Sequence, residues 1–159
     1  MTDPMEGFIT FQPALDAGKI TLLPGIVVPN VWVFMDEPNG QKRWTYVRLE
    51  NNIATCMAVL TPAEPYEGKH VFQLGYAVLE HFRGQGKAKD ISRAAITELT
   101  TGFAKNGLNS LYIEIVVGRD NPASIAVAQS LVKVKPKEIS DKISGLPALQ
   151  FMQIIETKF

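Results

Sequence analysis

The run Leu74-Gly-Tyr-Ala-Val-Leu-Glu-His-Phe-Arg-Gly-Gln-Gly-Lys-Ala-Lys-Asp90 joins an apolar strand to a helix through a glycine-rich, basic turn, and nothing else in the 159 residues limits the possible folds so tightly. Gly84 and Gly86 carry no side chain, so consecutive backbone N–H groups can converge on an anion at the positive end of the helix that follows. The pattern predicts a phosphate cradle, with a phosphate ester as its ligand.

Two widespread phosphate motifs fail on these residues. The mononucleotide loop Gly-x-x-x-x-Gly-Lys-Ser/Thr shares only Gly86-Lys87; His81 stands at the first glycine's position and Ala88 where a hydroxyl should hold magnesium. The dinucleotide fingerprint Gly-x-Gly-x-x-Gly fails at Lys89, and the expected acidic residue at the end of a second strand is missing. What remains, Arg83-Gly-Gln-Gly86-Lys-Ala88, has the form Arg/Gln-x-x-Gly-x-Gly/Ala.

Upstream, four strand candidates follow one another without a helix, which predicts an antiparallel meander. Val31-Trp-Val-Phe-Met35 leads into the turn signal Pro38-Asn-Gly40. In Lys42–Glu50 alternation puts Trp44 and Tyr46 on one face and Thr45, Val47 and Leu49 on the other. Asn51-Asn52 suits a hairpin turn into Ile53–Leu60. A proline-rich loop, Thr61–Lys69, then reaches the strand His70–Val78. The first thirty residues, broken by Pro13, Gly18, Pro24, Gly25 and Pro29, promise at most brief structure.

Downstream, Ala88, Ile91, Ala95, Leu99 and Phe103 fall on one face of a helix that packs on the sheet and that Asn106-Gly107 can end. Leu111–Val117 is a strand; a helical crossover makes it parallel to the strand before the turn. Asn121 and Pro122 read as N-cap and first residue of a second helix, and Leu149–Glu156 as a last strand. The connection from Lys133 to Pro147 has no assignable pattern.

Arg83–Ala88 resembles the pyrophosphate loop of the GNAT family of acetyl-CoA-dependent N-acetyltransferases. Asn121-Pro-Ala-Ser124, opening the segment Gly118–Leu131, is similar to that family's next helix in an Asn-x-x-Ser form. That form looks most like the branch acetylating ribosomal-protein N-termini, which also contains enzymes for other amines. The matched sequence runs from about Gln73 to Leu131. The resemblance implies one α/β domain over residues 1–159: a mixed, mostly antiparallel central sheet with a splayed parallel strand pair and packed helices. It implies acetyl transfer from acetyl-CoA to a primary amine, either a protein N-terminus or a small-molecule amine.

By the same resemblance, pantetheine lies in the splay like an extra strand, along the backbone of Tyr76, Ala77, Val78 and Leu79. Arg83, Gly84, Gln85, Gly86, Lys87 and Ala88 hold the pyrophosphate, the Val78 N–H polarises the thioester carbonyl, and Asn121 adds a pantetheine contact to its capping. Acetyl transfer also needs a base for the amine and a proton for the departing thiolate. Glu114 is the candidate base, because a carboxylate inside an apolar strand either lines a cleft or is an expensive buried charge; a solvent-facing or salt-bridged glutamate is the alternative. It shares strand parity with Val116, where a related N-terminal acetyltransferase branch carries its proposed base. Many family members protonate the thiolate with a tyrosine seven residues after the asparagine. Ala128 occupies that position here, and Ser124, the residue assigned this task in the Asn-x-x-Ser branch, takes its place. The alternative for Ser124 is a helix-start serine bonded to backbone.

Two further departures bear on the acceptor. The family inserts two helices between its first and second strands, yet only Asp36–Gln41 separates two strand candidates here, and Val132-Lys133 stands where a Gly-aromatic pair usually ends the second helix. Either the first thirty residues replace those helices or the pocket is open. Glu80, His81 and His70 are each a possible base or a solvent-facing residue. Trp44 and Tyr46 either wall an acceptor pocket or pack.

Sixteen basic and sixteen acidic side chains balance, which argues against nucleic acid or an anionic membrane as partner; Arg83, Lys87, Lys89 and Arg93 form a local basic patch. The lone Cys56 sits in an apolar run and reads as core, and two histidines eleven apart support no metal site. The start Met1-Thr-Asp-Pro has neither the basic region nor the apolar core of a signal peptide. The expectation is a cytoplasmic monomer or homodimer. Two rivals remain, a catalytically silent acyl-CoA-binding module acting as sensor or partner subunit, and a nucleotide-binding regulatory domain.

Overall fold

The computed structural model describes residues 3–157, so Met1 and Thr2 of the leader argument lie outside the described residues. Asn51 and Asn52 take positive φ (51° and 66°), which a two-residue hairpin turn requires, and they join β3 (Arg43–Glu50) to β4 (Ile53–Tyr66). The meander begins with β1 (Leu23–Pro24) and β2 (Trp32–Asp36) and continues through β4 into β5 (Lys69–Val78). After helix α2 (Lys87–Lys105) come β6 (Ser110–Gly118), α3 (Pro122–Leu131), β7 (Lys137–Ser140) and β8 (Pro147–Glu156). The strands lie in the order β1-β2-β3-β4-β5-β6-β8-β7, and only β5 and β6 pair in parallel.

Alternation decides which side chains meet which helices. Tyr46, Cys56, Leu60, Phe72, Leu74, Ile113, Ile115 and Phe151 pack in one cluster with Ile91, Ala95 and Leu99 of α2 and Ala128 of α3. Trp44 belongs there too, edge-on to Phe72 and Phe103 at 5.7 and 6.0 Å, so the aromatic pair of β3 is packing and walls no acceptor pocket. Cys56 is fully buried in this cluster, as its apolar run implies, and burial raises its thiol pKa. Asn106 and Gly107 end α2 as expected: Gly107 sits at φ 86°, and the N–H groups of Gly107 and Leu108 donate to Ala104 and Phe103 carbonyls, a Schellman closure.

The first thirty residues hold more than brief structure. α1 (Pro4–Asp16) is thirteen residues long. Asp3 Oδ1 caps it by accepting from the Met5 N–H at 3.0 Å, Pro4 starts it where an N–H would have no partner, and Pro13 in its last turn leaves the Ile9 carbonyl without its helix donor. Phe8 and Phe11 are buried against Val47, Met57, Val59 and Ala77 on the sheet face opposite α2. Gln12 fastens the helix to the β3–β4 hairpin, accepting from Ala54 N–H at 2.8 Å and donating to the Asn52 carbonyl at 3.0 Å. The molecule is therefore layered: α1, then the sheet, then α2 with α3.

Two other expectations are corrected. The proline-rich stretch after Leu60 is no loop, because β4 runs on to Tyr66 and turns at Glu67-Gly68; its pairing with β3 stops at Leu60, so Pro62 and Pro65 meet a free edge that needs no N–H from them. The unassigned connection contains β7, which pairs with β8 from Lys137↔Gln150 to Ser140↔Pro147. A feature without a sequence signal is Glu98, which is 5% exposed and accepts from the N–H groups of Ile26, Val27 and Val28 at 2.8, 2.9 and 2.7 Å. It pins the segment before β2 onto α2.

Candidate functional site

β5 and β6 are in register only at Val71↔Tyr112, Phe72↔Ile113 and Gln73↔Glu114. Both strands continue beyond that point, β5 to Val78 and β6 to Gly118, without pairing to each other. β5 stays bonded to β4 and β6 to β8, so a gap opens in the middle of the sheet. The Leu79 N–H donates to the Thr55 carbonyl of β4 at 3.1 Å. Alternation then directs the backbone of Val78 and Tyr76 away from β4 and into the gap, and the Val78 carbonyl accepts there from Arg83 Nε at 3.1 Å. Of the four residues expected to offer free backbone, Tyr76 and Val78 face the gap, whereas Ala77 and Leu79 face β4.

The gap ends at the glycine turn. Gly84 and Gly86 have φ of 76° and 74°, a conformation that favours glycine, and a Cβ on either would meet nothing within 4 Å. Gly86 is the N-cap of α2 and supplies no side-chain cap, so the first-turn N–H groups donate to no capping side chain. Gln85 and Ala88 sit within this turn and helix start. The basic patch is partly committed: Lys87 lies 3.4 Å from Glu50 and over the Phe82 ring, and Arg93 donates to the Ser130 carbonyl.

Glu114 is half-buried on the α1 face of β6. Gln73 Nε2 donates to one carboxylate oxygen at 3.0 Å and Gln150 Nε2 to the other at 2.6 Å. This carboxylate thus belongs neither to bulk solvent nor to an ion pair; two neutral amides fix it at the vertex of the gap. It lines a cleft of about 540 Å³ with Val116, Asp141 and Lys142. Asp3, Pro4 and Gln73 are shared with a second cleft of about 730 Å³, which runs along α1 past Phe11 to the Asp36–Arg43 ion pair. A groove thus leads from Glu114 along the N-terminus of α1.

On the opposite side of the gap, Asn121 caps α3, its Oδ1 accepting from the Ser124 N–H at 3.1 Å. Ser124 Oγ lies 3.0 Å from the Tyr76 hydroxyl, which also donates to the Ser124 carbonyl at 2.9 Å. Burial raises the Tyr76 pKa, and the bond to Ser124 lowers it by less. Ala128 is fully buried, so the position that carries a tyrosine in many GNAT members lies inside the core in this chain. Glu80, His81 and His70 are exposed, His81 edge-on to Phe82. The signals that sequence reasoning lacked, Gln73, Gln150 and the Tyr76 side chain, depend on registers that only the assembled sheet defines.

No protein-family model matches the chain, and no curated protein does. Solved structures do. A GNAT-family acetyltransferase from Streptococcus pneumoniae superposes with TM-score 0.55 at 16% identity, over 71% of this chain and 66% of that one. A ribosomal L7/L12 alpha-N-protein acetyltransferase in complex with coenzyme A gives 0.57 at 19%, over 73% and 64%. An aminoglycoside acetyltransferase in complex with coenzyme A and kanamycin gives 0.55 at 15%, over 70% and 66%. The chain spans just under two thirds of the length of these structures. The fold is GNAT-like, with a mostly antiparallel mixed sheet and one parallel pair.

Proposed function

We propose that this protein binds acetyl-CoA in the gap between β5 and β6 and transfers its acetyl group to a primary amine. The carrying observation is the parting of the parallel pair after Gln73/Glu114, with two positive-φ glycines and an uncapped helix N-terminus at its open end. Pantetheine would hydrogen-bond to the gap-facing backbone of Tyr76 and Val78, beside Ala77 and Leu79 on the same strand. The pyrophosphate would rest on Arg83, Gly84, Gln85, Gly86, Lys87 and Ala88, where N–H groups and the helix dipole favour anions. Asn121 would flank the pantetheine as well as cap α3. Solved neighbours of this fold hold coenzyme A.

The acceptor would enter by the groove along α1, which supplies a wall where GNAT members insert a helix pair. Glu114 removes a proton from the amine, directly or through a water, as nitrogen attacks. The Val78 N–H polarises the thioester carbonyl, and Ser124 helps return a proton to the sulfur. The acceptor class is a protein N-terminus or a small-molecule amine, and the Asn-x-x-Ser helix start supports kinship with the ribosomal-protein branch.

A silent acyl-CoA-binding module is the second reading, favoured by the occupation of both Glu114 oxygens by glutamine amides. One assay separates the two: thiol release from acetyl-CoA in the presence of peptides with free N-terminal serine or alanine, kanamycin and simple alkylamines. Release with any primary amine supports transfer; coenzyme A binding without release supports the silent module; absence of coenzyme A binding refutes both.

A further inference from the structure

Breaking a thioester leaves a thiolate, and an alkyl thiol ionises near about 8.5, so at neutral pH the departing sulfur takes up a proton. On the α2–α3 wall of the gap one pair of hydroxyls is joined to each other, Tyr76 on the unpaired part of β5 and Ser124 in the first turn of α3. Ser124 Oγ is turned to the phenol at 3.0 Å. The Tyr76 hydroxyl, by contrast, lies between the strand that faces the gap and the helix that closes it; it donates to the Ser124 carbonyl at 2.9 Å, which leaves Ser124 Oγ as the donor between the two hydroxyls.

We propose that the Tyr76 hydroxyl donates the proton to the departing thiolate, with Ser124 Oγ refilling the phenol; this rests on the acetyl-transfer reading. The amine nitrogen forms its bond to the acetyl carbon, the carbon–sulfur bond breaks, and the electron pair goes to sulfur. Sulfur takes the Tyr76 proton, the phenolate takes one from Ser124 Oγ, and that oxygen recovers a proton from water. The proton released by the amine leaves through Glu114, so no charge accumulates over the cycle. A phenol, at about 10 in water, is a weaker acid than the thiol whose sulfur it protonates, at about 8.5. Transfer therefore depends on the refill, and the contact between the two hydroxyls supplies its path. Burial keeps Tyr76 protonated in the resting protein, which makes it a donor and not a base. A tyrosine on β5 would in this way do from across the gap what Ala128 cannot do from α3.

A hydroxyl that protonates the departing sulfur also stabilises the thiolate of the product, which gives a test that needs no acceptor. CoA and desulfo-CoA, which lacks the thiol, are titrated calorimetrically into the wild-type protein and into Tyr76→Phe and Ser124→Ala. Each titration is run at about one pH unit below and one above the ordinary thiol value of about 8.5. The wild type is expected to gain about fivefold in preference for CoA over desulfo-CoA across that window, the linkage expected when the bound thiol's pKa falls by about one unit. Tyr76→Phe loses the gain while retaining desulfo-CoA affinity, and Ser124→Ala keeps it. An unchanged gain in Tyr76→Phe, or a gain lost only in Ser124→Ala, overturns the proposal and leaves acetyl-CoA binding standing. No CoA binding to the wild type overturns the functional reading itself. If Tyr76→Phe does not fold, Ser124→Ala decides alone, a retained gain supporting Tyr76 and a lost one contradicting it.

Discussion

Glu114 and Glu98 are both held by neutral donors, and their different partners give them different work. Glu114 accepts from two side-chain amides at the vertex of the gap. Its glutamine isostere keeps shape, and the one glutamine partner that meets the new amide nitrogen can rotate to present oxygen, so Glu114→Gln is expected to leave stability and CoA affinity unchanged. Turnover at neutral pH should fall by about 100-fold or more, as loss of a general base implies. Wild-type turnover in that variant would return Glu114 to a structural role. Glu98 accepts instead from three consecutive backbone N–H groups. Glu98→Ala leaves those donors without partners in a buried place and should cost about 2–4 kcal/mol in urea denaturation. A loss below about 0.5 kcal/mol would mean that the Ile26–Val28 segment finds water instead.

At the scale of elements, local chemistry made most of the sheet legible. The Asn-Asn turn, the Trp44/Tyr46 alternation, the Ala88–Phe103 stripe and the Asn121-Pro122 cap each encode their element in a few adjacent residues. Where the reading failed, a nonlocal contact overrode a local signal. Pro13 and Gly18 suggest interruption, yet α1 forms because Asp3 caps it and Phe8 and Phe11 find an apolar sheet face. Pro62 and Pro65 suggest a loop, yet β4 continues because its neighbour ends at Leu60. α1 also carries a prediction. Phe8→Ala removes a side chain that is 2% exposed and should destabilise the fold by about 3 kcal/mol. If α1 walls the acceptor groove, the same change raises the acceptor KM while the CoA Kd holds. Equal effects on both would make α1 a scaffold element only.

At the scale of the molecule, the glycine turn and the two helix starts were legible because a phosphate cradle is local. The gap was legible only through the family resemblance, because it depends on where two strands stop pairing at Gln73 and Glu114, 41 residues apart in the chain, and the Gln73–Glu114–Gln150 clamp carried no local signal at all. The central claim is that this gap and turn hold acetyl-CoA. Its most direct test is calorimetric titration of acetyl-CoA into the wild type, Gly86→Asp and Gly68→Asp. Gly68 has the same backbone conformation, φ 73° against 74°, in the distant β4–β5 turn, and so controls for strain. The account predicts one-to-one binding to the wild type and to Gly68→Asp. A loss of about 100-fold is expected in Gly86→Asp, where a carboxylate replaces open space beside the helix N-terminus. Equal affinity in all three folded proteins, or no binding to the wild type, would contradict it.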